Sequence, residues 1–254
     1  MTPRRRIRLD HLLVDRGIAP TRERARAVIL AGIVRVGEEQ VDKAGALVAH
    51  DAEIRLLRED HPYVSRGGLK LKGALDHFGI SVRGRICLDV GASTGGFTDC
   101  LLQEGAARVY AVDVGYGQLA WRLRQDHRVV SLERTNIRYF DGRGLDQAID
   151  FATIDASFIS LRLVVPAVIR LTGERSAILA LIKPQFEVGR EEVQKKGVVK
   201  SPALHARVLE EMKAFFRTLD LDVRGTVESA LQGPAGNREF FLYAAKSGRK
   251  DPSP

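Results

Sequence analysis

Asp155 closes the apolar run "IDFATID" and Lys183 closes the run "AILALIK". Lys70, in a stretch with helical spacing, and Glu239, at the head of "EFFLYAA", supply a second amine and a second carboxylate. An amine whose neighbours favour its neutral form can take up or share the proton of a weak nucleophile such as a sugar hydroxyl, and a carboxylate can hold it in place. The other chemically suggestive stretch is "LDVGASTGGFT", residues 88–98, where an apolar run breaks into a turn with Gly91, Gly95 and Gly96.

Three ligands could occupy that turn. A dinucleotide site needs G-x-G-x-x-G, yet Ser93 stands where the second glycine must let a pyrophosphate approach. A phosphate-binding P-loop needs a lysine at the position of Phe97, so an NTPase is disfavoured. S-adenosylmethionine has no phosphates and calls for a close backbone approach to its amino-acid part, with a carboxylate for its ribose diol. Gly91, Gly95 and Gly96 permit the approach. Asp113, 22 residues after Gly91 and at the end of "VYAVD", is the candidate carboxylate, and Asp89 could orient the loop or the ligand amine. The candidate donor site is therefore Asp89, Gly91, Ser93, Thr94, Gly95, Gly96, Phe97 and Asp113, with Asp155 facing the donor.

The accepting atom is narrowed by what is missing. Methylation of exocyclic amines uses an Asn or Asp followed by two prolines and an aromatic, whereas the corresponding stretch here is "DASF". Methylation at a base carbon needs a thiolate near the strand ends, and neither Cys87, which opens a run, nor Cys100, in the following helix, is placed for it. The two cysteines have no metal-like spacing, and no metal is expected. A ribose hydroxyl is a further possible acceptor, one that needs a base, with Lys183, Asp155, Lys70 and Glu239 as its candidate partners.

Several elements must position these groups. "ICLDVGA", "RVYAVDVG", "RVVSLER", "IDFATIDASF" and "SAILALIKP" alternate with helical stretches, which predicts an α/β fold with a parallel sheet buried on both faces and ligands at the carboxyl ends of its strands. In front, "RLDHLLVDRG" and "TRERARAVILAG" read as two short helices ended by Gly17 and Gly32, followed by brief strands. Thr21 is the expected N-cap of the second helix. Its Arg22 and Arg26 are one turn apart and project from the side opposite the apolar stripe. The Pro, paired Gly and polar residues of "REDHPYVSRGG" mark a boundary. We delimit a small α+β domain over 1–60, a linker over 61–67, an α/β domain over 68–246 and a disordered tail over 247–254.

The front module resembles the RNA-binding domain first named from ribosomal protein S-four, through "RLDHLLVDRG", "TRERARAVILAGIVRVG" and "AEIRLL". The Lys70, Asp155, Lys183 and Glu239 set resembles the tetrad of FtsJ-like ribose 2′-O-methyltransferases. Taken with "SRGGLKL", "DVGYGQL", "IDASFISL", "LIKPQFE" and "GPAGNREFFLY", the whole chain resembles the TlyA family of bacterial ribosomal RNA methyltransferases, often labelled hemolysins. The resemblance implies a Rossmann-like class I fold with a mostly parallel seven-stranded sheet and helices on both faces. It also implies S-adenosylmethionine as cofactor, and cytidine ribose in small- or large-subunit ribosomal RNA as substrate, with ribosomal RNA or ribosomal subunits as partners. It assigns Lys183 as principal base, Asp155 as the group that holds it, Lys70 and Glu239 as positioners of the ribose, and Thr135 and Asn136 to the adenine side.

Charge agrees with a polyanionic partner. The chain carries a net +8, 30 of its 40 cations are arginine, and eight of those lie within residues 1–26 against three acids. Candidate RNA contacts are Arg5, Arg6, Arg8, Arg22 and Arg26 in front, and Lys195, Lys196 and Lys200 in the charged segment "EVGREEVQKKGVVK". "MTPRRRIRLD" lacks the apolar core of a signal peptide, and the longest apolar run is far shorter than the about 18 residues that cross a bilayer. The expectation is a cytoplasmic protein with no membrane contact and no obligate protein partner. Two rival classes are a membrane-damaging toxin and an RNA-binding assembly factor without catalysis.

Overall fold

The computed structural model describes residues 6–30, 32–57, 61–194, 197–233 and 236–246. The chain divides into two compact units, Met1–Pro62 and Tyr63–Pro254.

In the first unit, β1 (Arg6–Arg8) leads into α1 (Leu9–Asp15) and α2 (Arg22–Leu30). Four short strands follow: β2 (Val34–Val36), β3 (Glu39–Gln40), β4 (Leu47–Ala49) and β5 (Ile54–Leu56). Thr21 caps α2 by accepting the Arg24 N–H at 3.1 Å. Leu9 and Leu13 of α1 meet Ala25, Val28 and Ile29 of α2 in one small core with Val34. Antiparallel pairing of β1 with β4, and of β2 with both β3 and β5, covers it.

The second unit alternates helix and strand. Its elements are α3 (Gly67–Phe78), β6 (Ile86–Val90), α4 (Gly96–Gln103), β7 (Arg108–Val112), α5 (Trp121–Arg124), β8 (Val129–Leu132), β9 (Ile149–Ile154), α6 (Leu161–Leu171), β10 (Thr172–Ile182), α7 (Pro202–Thr218), β11 (Leu221–Glu228) and β12 (Phe240–Lys246). They build a seven-stranded sheet of order β11-β12-β10-β9-β6-β7-β8, in which β12 alone runs against its neighbours. Successive strand residues serve opposite faces. Leu88 and Val90 pack with α6 and α7 residues such as Val168 and Phe216, while Cys87, Val109 and Phe151 pack with Leu71, Leu75 and Leu101 of α3 and α4. Burial on both faces is why these strands carry nearly unbroken apolar runs.

Residues 63–66, which composition alone assigns to a linker, belong to this unit. Tyr63 is buried over Gly68, where a Cβ would collide with its ring, and the Val64 N–H donates to Asp99 Oδ2 at 2.7 Å. The tail, 247–254, lies outside the described residues.

Candidate active site

Chain order turns back at β6: β7 and β8 extend the sheet on one side, and β9 and β10 on the other. A crevice forms at the carboxyl ends where the order reverses, and the loop after Val90 lies there. Gly91 and Gly95 have φ of +84° and +96°, which glycine alone adopts without cost. Their open faces are filled by the protein itself. A Cβ on Gly91 would stand 2.5 Å from the Asp155 carbonyl oxygen; one on Gly95 would collide with Leu119 and Leu123, and one on Gly96 with Ser65. The glycines thus let β9, α5 and the start of α3 close onto the loop, leaving Ser93 and Thr94 exposed at its tip. Phe97 is turned away from the loop's mouth into the core, 6.0 Å from Phe241.

Asp89 is wholly buried beneath this loop and accepts from Thr98 Oγ1 at 2.7 Å and Thr153 Oγ1 at 3.1 Å. Burial pushes its carboxyl up to about 7, against the two hydroxyl donors, which favour the ionised form. Of the two expected roles, its contacts are those of a loop anchor, since Thr98 belongs to α4. Asp113, at the end of β7, accepts the Ser93 N–H at 2.8 Å and the Gly115 N–H at 2.7 Å. It borders a small cleft with Ala92, Ser93, Gly115, Gln118 and Glu133. A carboxylate offers about four acceptor positions, so capacity remains for a ribose diol, and the donor set fits S-adenosylmethionine. Thr135 donates its backbone N–H to the Asp113 carbonyl at 2.9 Å and its hydroxyl to the Glu133 carbonyl at 3.0 Å. Asn136 caps the turn Ile137–Tyr139 by accepting the Arg138 N–H at 3.1 Å.

The four charged residues meet as two ion pairs. Lys183 Nζ lies 2.6 Å from Asp155 Oδ1 and donates to Ser157 Oγ at 2.8 Å. Lys70 Nζ lies 2.6 Å from Glu239 Oε2. Ile182 pairs with Phe240 in the β10–β12 ladder, so Lys183 and Glu239 are the next residues along adjacent strands. Lys70 reaches them from the first turn of α3, whose first residue, Gly67, passes the Phe97 ring so closely that an added Cβ would lie 3.4 Å from it. Both pairs are largely covered: the lysine side chains are 10% and 11% exposed and Glu239 is 1% exposed.

Sequence reasoning missed two neighbours of this cluster. Ser157 holds Lys183, and a serine three residues beyond a strand carries no pattern that would single it out. Phe158 is 91% exposed, has a φ of +62° and lies 5.3 Å from Phe186; the two rings follow Asp155 and Lys183 by three residues each. Its signal was present in "DASF": an aromatic in a polar strand-to-helix loop. The thiols are remote from such chemistry, since burial pushes both Cys87 and Cys100 up to about 12 and keeps them protonated at neutral pH.

In the first unit Arg8, Arg22, Arg6 and Arg26 are exposed. Two of them are tied down: the fully buried Asp10 accepts from Arg8 Nη2 at 2.9 Å and Arg22 Nε at 3.3 Å. The Arg8 guanidinium, then Arg22, holds the Asp10 carboxyl down to about 2 despite its burial. Lys200 is exposed in the second unit, whereas Arg5, Lys195 and Lys196 lie outside the described residues.

Comparison with known proteins agrees with both units. The family model for FtsJ-like methyltransferases matches residues 63–246 and that for the S4 domain matches residues 7–54. The chain is 51% identical to Bacillus subtilis YqxC, provisionally named an rRNA methyltransferase, over 93% of this chain and 84% of that one. It is 45% identical to the Mycobacterium tuberculosis 16S/23S rRNA (cytidine-2′-O)-methyltransferase TlyA, covering 94% of this chain and 90% of the relative. A solved Streptococcus thermophilus chain, provisionally titled a hemolysin, superposes with a TM-score of 0.75 at 44% identity over 96% of this chain and 90% of its own. On the two matched domains and relatives of this identity over most of its length, the chain belongs to the TlyA family of FtsJ-like methyltransferases that carry an S4 domain.

Proposed function

We propose that this protein transfers a methyl group from S-adenosylmethionine to the ribose 2′-hydroxyl of a cytidine in ribosomal RNA. The observation that carries the reading is Lys183: its amine makes two contacts, with Asp155 and Ser157, next to a second amine–carboxylate pair at the strand ends. S-adenosylmethionine, when bound, supplies an electrophilic methyl carbon. Asp113 and the backbone around Ser93 would hold it, and Thr135 and Asn136 would serve its adenine.

Asp155, whose Oδ1 lies 2.6 Å from Lys183 Nζ, and Ser157, which accepts from that amine, orient it for the ribose hydroxyl. At that position Nζ takes the proton of the 2′-hydroxyl, and the ammonium so formed is met at once by the Asp155 carboxylate. Lys70 and Glu239 hold the ribose in line, which removes most of the orientational cost of the transfer. Phe158 offers an open face on which the base can stack. The protonated thiols of Cys87 and Cys100 argue against a covalent mechanism at a base carbon. The arginines of the first unit, including Arg5, and Lys195, Lys196 and Lys200 in the second grip RNA phosphates.

Among the described residues no helix is long and apolar enough to cross a membrane, and nothing in the site favours a toxin. The reading is tested by incubating the chain with radiolabelled donor and ribosomal subunits and mapping the labelled nucleotide. Lys183→Ala is expected to lower turnover by about 10²-fold or more with donor affinity little changed. Near-normal labelling by that variant, or label on a base rather than a ribose, would refute the assignment.

A further inference from the structure

Glu239 reaches Lys70 from the end of a loop, 229–239, of which residues 229–233 and 236–239 are described. The loop closes on itself through the Ser229 N–H to the Glu239 carbonyl at 2.8 Å and the Gly233 N–H to the Asn237 carbonyl at 2.9 Å. A Cβ on Gly233 would stand 2.4 Å from Glu239 Oε1, so a larger residue there would displace the carboxylate. Besides Glu239 itself and Arg238, which donates to Glu228, Asn237 reaches out of the loop. Asn237 is 3% exposed; its Oδ1 accepts the Val199 N–H at 2.9 Å and its Nδ2 donates to the Gly197 carbonyl at 2.8 Å. A planar carboxamide, with an acceptor and a donor side by side, matches a backbone N–H and C=O two residues apart, which neither Asp nor Ser does.

The other backbone group of Val199 is held as well. Its carbonyl accepts from His205 Nε2 at 2.9 Å, and the His205 ring packs 5.5 Å from Phe240, the residue after Glu239. Residues on both sides of Glu239 therefore lead to Val199, one through its N–H and one through its carbonyl. Val199 is buried, and exposed Lys200 and the N-cap Ser201 of α7 follow directly.

We propose that Asn237 is a positioning residue for methyl transfer: it braces the Glu239 loop against Gly197–Ser201, so that the carboxylate is held on Lys70 and the RNA-facing Lys200 is held at a fixed distance from it. This rests on the functional reading above. A brace of this kind acts on geometry rather than on donor affinity, and misplacement by about 1 Å is enough to cost a large factor in rate. Without the amide, the buried Val199 N–H and Gly197 carbonyl lose their partners, and the loop is free to leave them.

The test uses the full chain, wild type and Asn237→Ala, with ribosomal subunits at saturating donor. Four quantities are measured: kcat and KM for the subunit across pH, donor Kd, and hydrogen exchange at Val199. The expected result is faster exchange at that amide, kcat lowered about tenfold or more with a displaced pH profile, and donor Kd within about twofold. Unchanged exchange, or faster exchange with kcat and its pH profile unchanged, would overturn the proposal, because a merely structural brace would move only stability. Should Asn237→Ala fail to fold, Asn237→Asp keeps the acceptor for Val199 and loses only the donor to Gly197, and it decides on the same readouts. Wild type that labels no ribose sinks the functional reading and this proposal together; active wild type with unaffected variants sinks the brace alone.

Discussion

A carboxylate enclosed beneath the loop that begins a methyltransferase site must be either ionised without water or protonated, and Asp89 lies near the balance. Its two hydroxyl donors and its position under α4 make it part of the fold's foundation. Its ordinary value is 3.8 and burial pushes it up to about 7, with the nearby Asp155 charge acting in the same direction. The folded state therefore binds a proton between about pH 4 and 7 that the unfolded chain has released, so this group's contribution to stability falls as pH rises through that window and is constant above it. Asp89→Asn, neutral throughout, should gain stability relative to wild type as pH rises from about 4 to 7, measured as the difference in melting temperature. Parallel curves for the two proteins would show that Asp89 does not titrate there. Residues of this kind are only partly legible in the sequence. Lys183, Asp155 and Glu239 stand out because a charge at the end of an apolar run is conspicuous, and Lys70 by its place beside paired glycines. The buried state of Asp89 and the inward turn of Phe97 depend on which way each side chain leaves the strand or helix, which spacing alone does not reveal.

The elements are legible in proportion to their burial. Strands β6, β7 and β9, and β10 from Ser176 onward, are enclosed on both faces and their sequences are largely apolar runs. β11 escapes sequence reading: it is an edge strand in which Asp222, Arg224 and other half-exposed residues interrupt the pattern, and its pairing shifts register between Val223 and Gly225. The start of α7 is readable because Ser201 and Pro202 are a chemical signature of a helix N-terminus, and Ser201 Oγ does accept the Leu204 N–H. The glycine-rich turn is equally plain, but the reason for its glycines lies in tertiary packing. Gly91 separates the ends of β6 and β9 by less than a methyl group requires. Gly91→Ala should therefore lose donor binding and methyl transfer together, and be destabilised by at least about 1–2 kcal/mol from its left-handed backbone alone. Gly79→Ala is the matched comparison: φ is +62° but a Cβ there meets nothing within 4 Å, so backbone strain should lower the melting temperature while kcat stays near wild type. Equal loss of activity in the two variants would show that the close approach to the Asp155 carbonyl is irrelevant.

Across the whole molecule the informative quantity is where charge sits. Residues 1–26 hold eight of the arginines, while the second unit holds the amines and carboxylates that face one another at its strand ends. Each unit has its own core, so recognition and chemistry can be altered independently. Within the first unit, Asp10 draws Arg8 and Arg22 to one point. Arg8 Nε and Nη2 and Arg22 Nε face the carboxylate, while the two side chains remain about half exposed, so donors are left for an external anion. Such pre-ordering favours phosphate binding because less side-chain freedom is surrendered when the anion arrives. Replacing Arg6, Arg22 and Arg26 together by Gln should weaken subunit binding and flatten its dependence on salt by about 2–3 in the slope of log K against log [salt], somewhat less than one unit for each phosphate that is no longer neutralised. Donor Kd, set in the other unit, should not move. Binding and turnover on subunits should converge with those of wild type at high salt, where the phosphate interactions of both proteins are screened. A variant that kept the full salt slope would assign the arginines to solubility and move RNA recognition to the second unit, where Lys200 would be the first residue to replace.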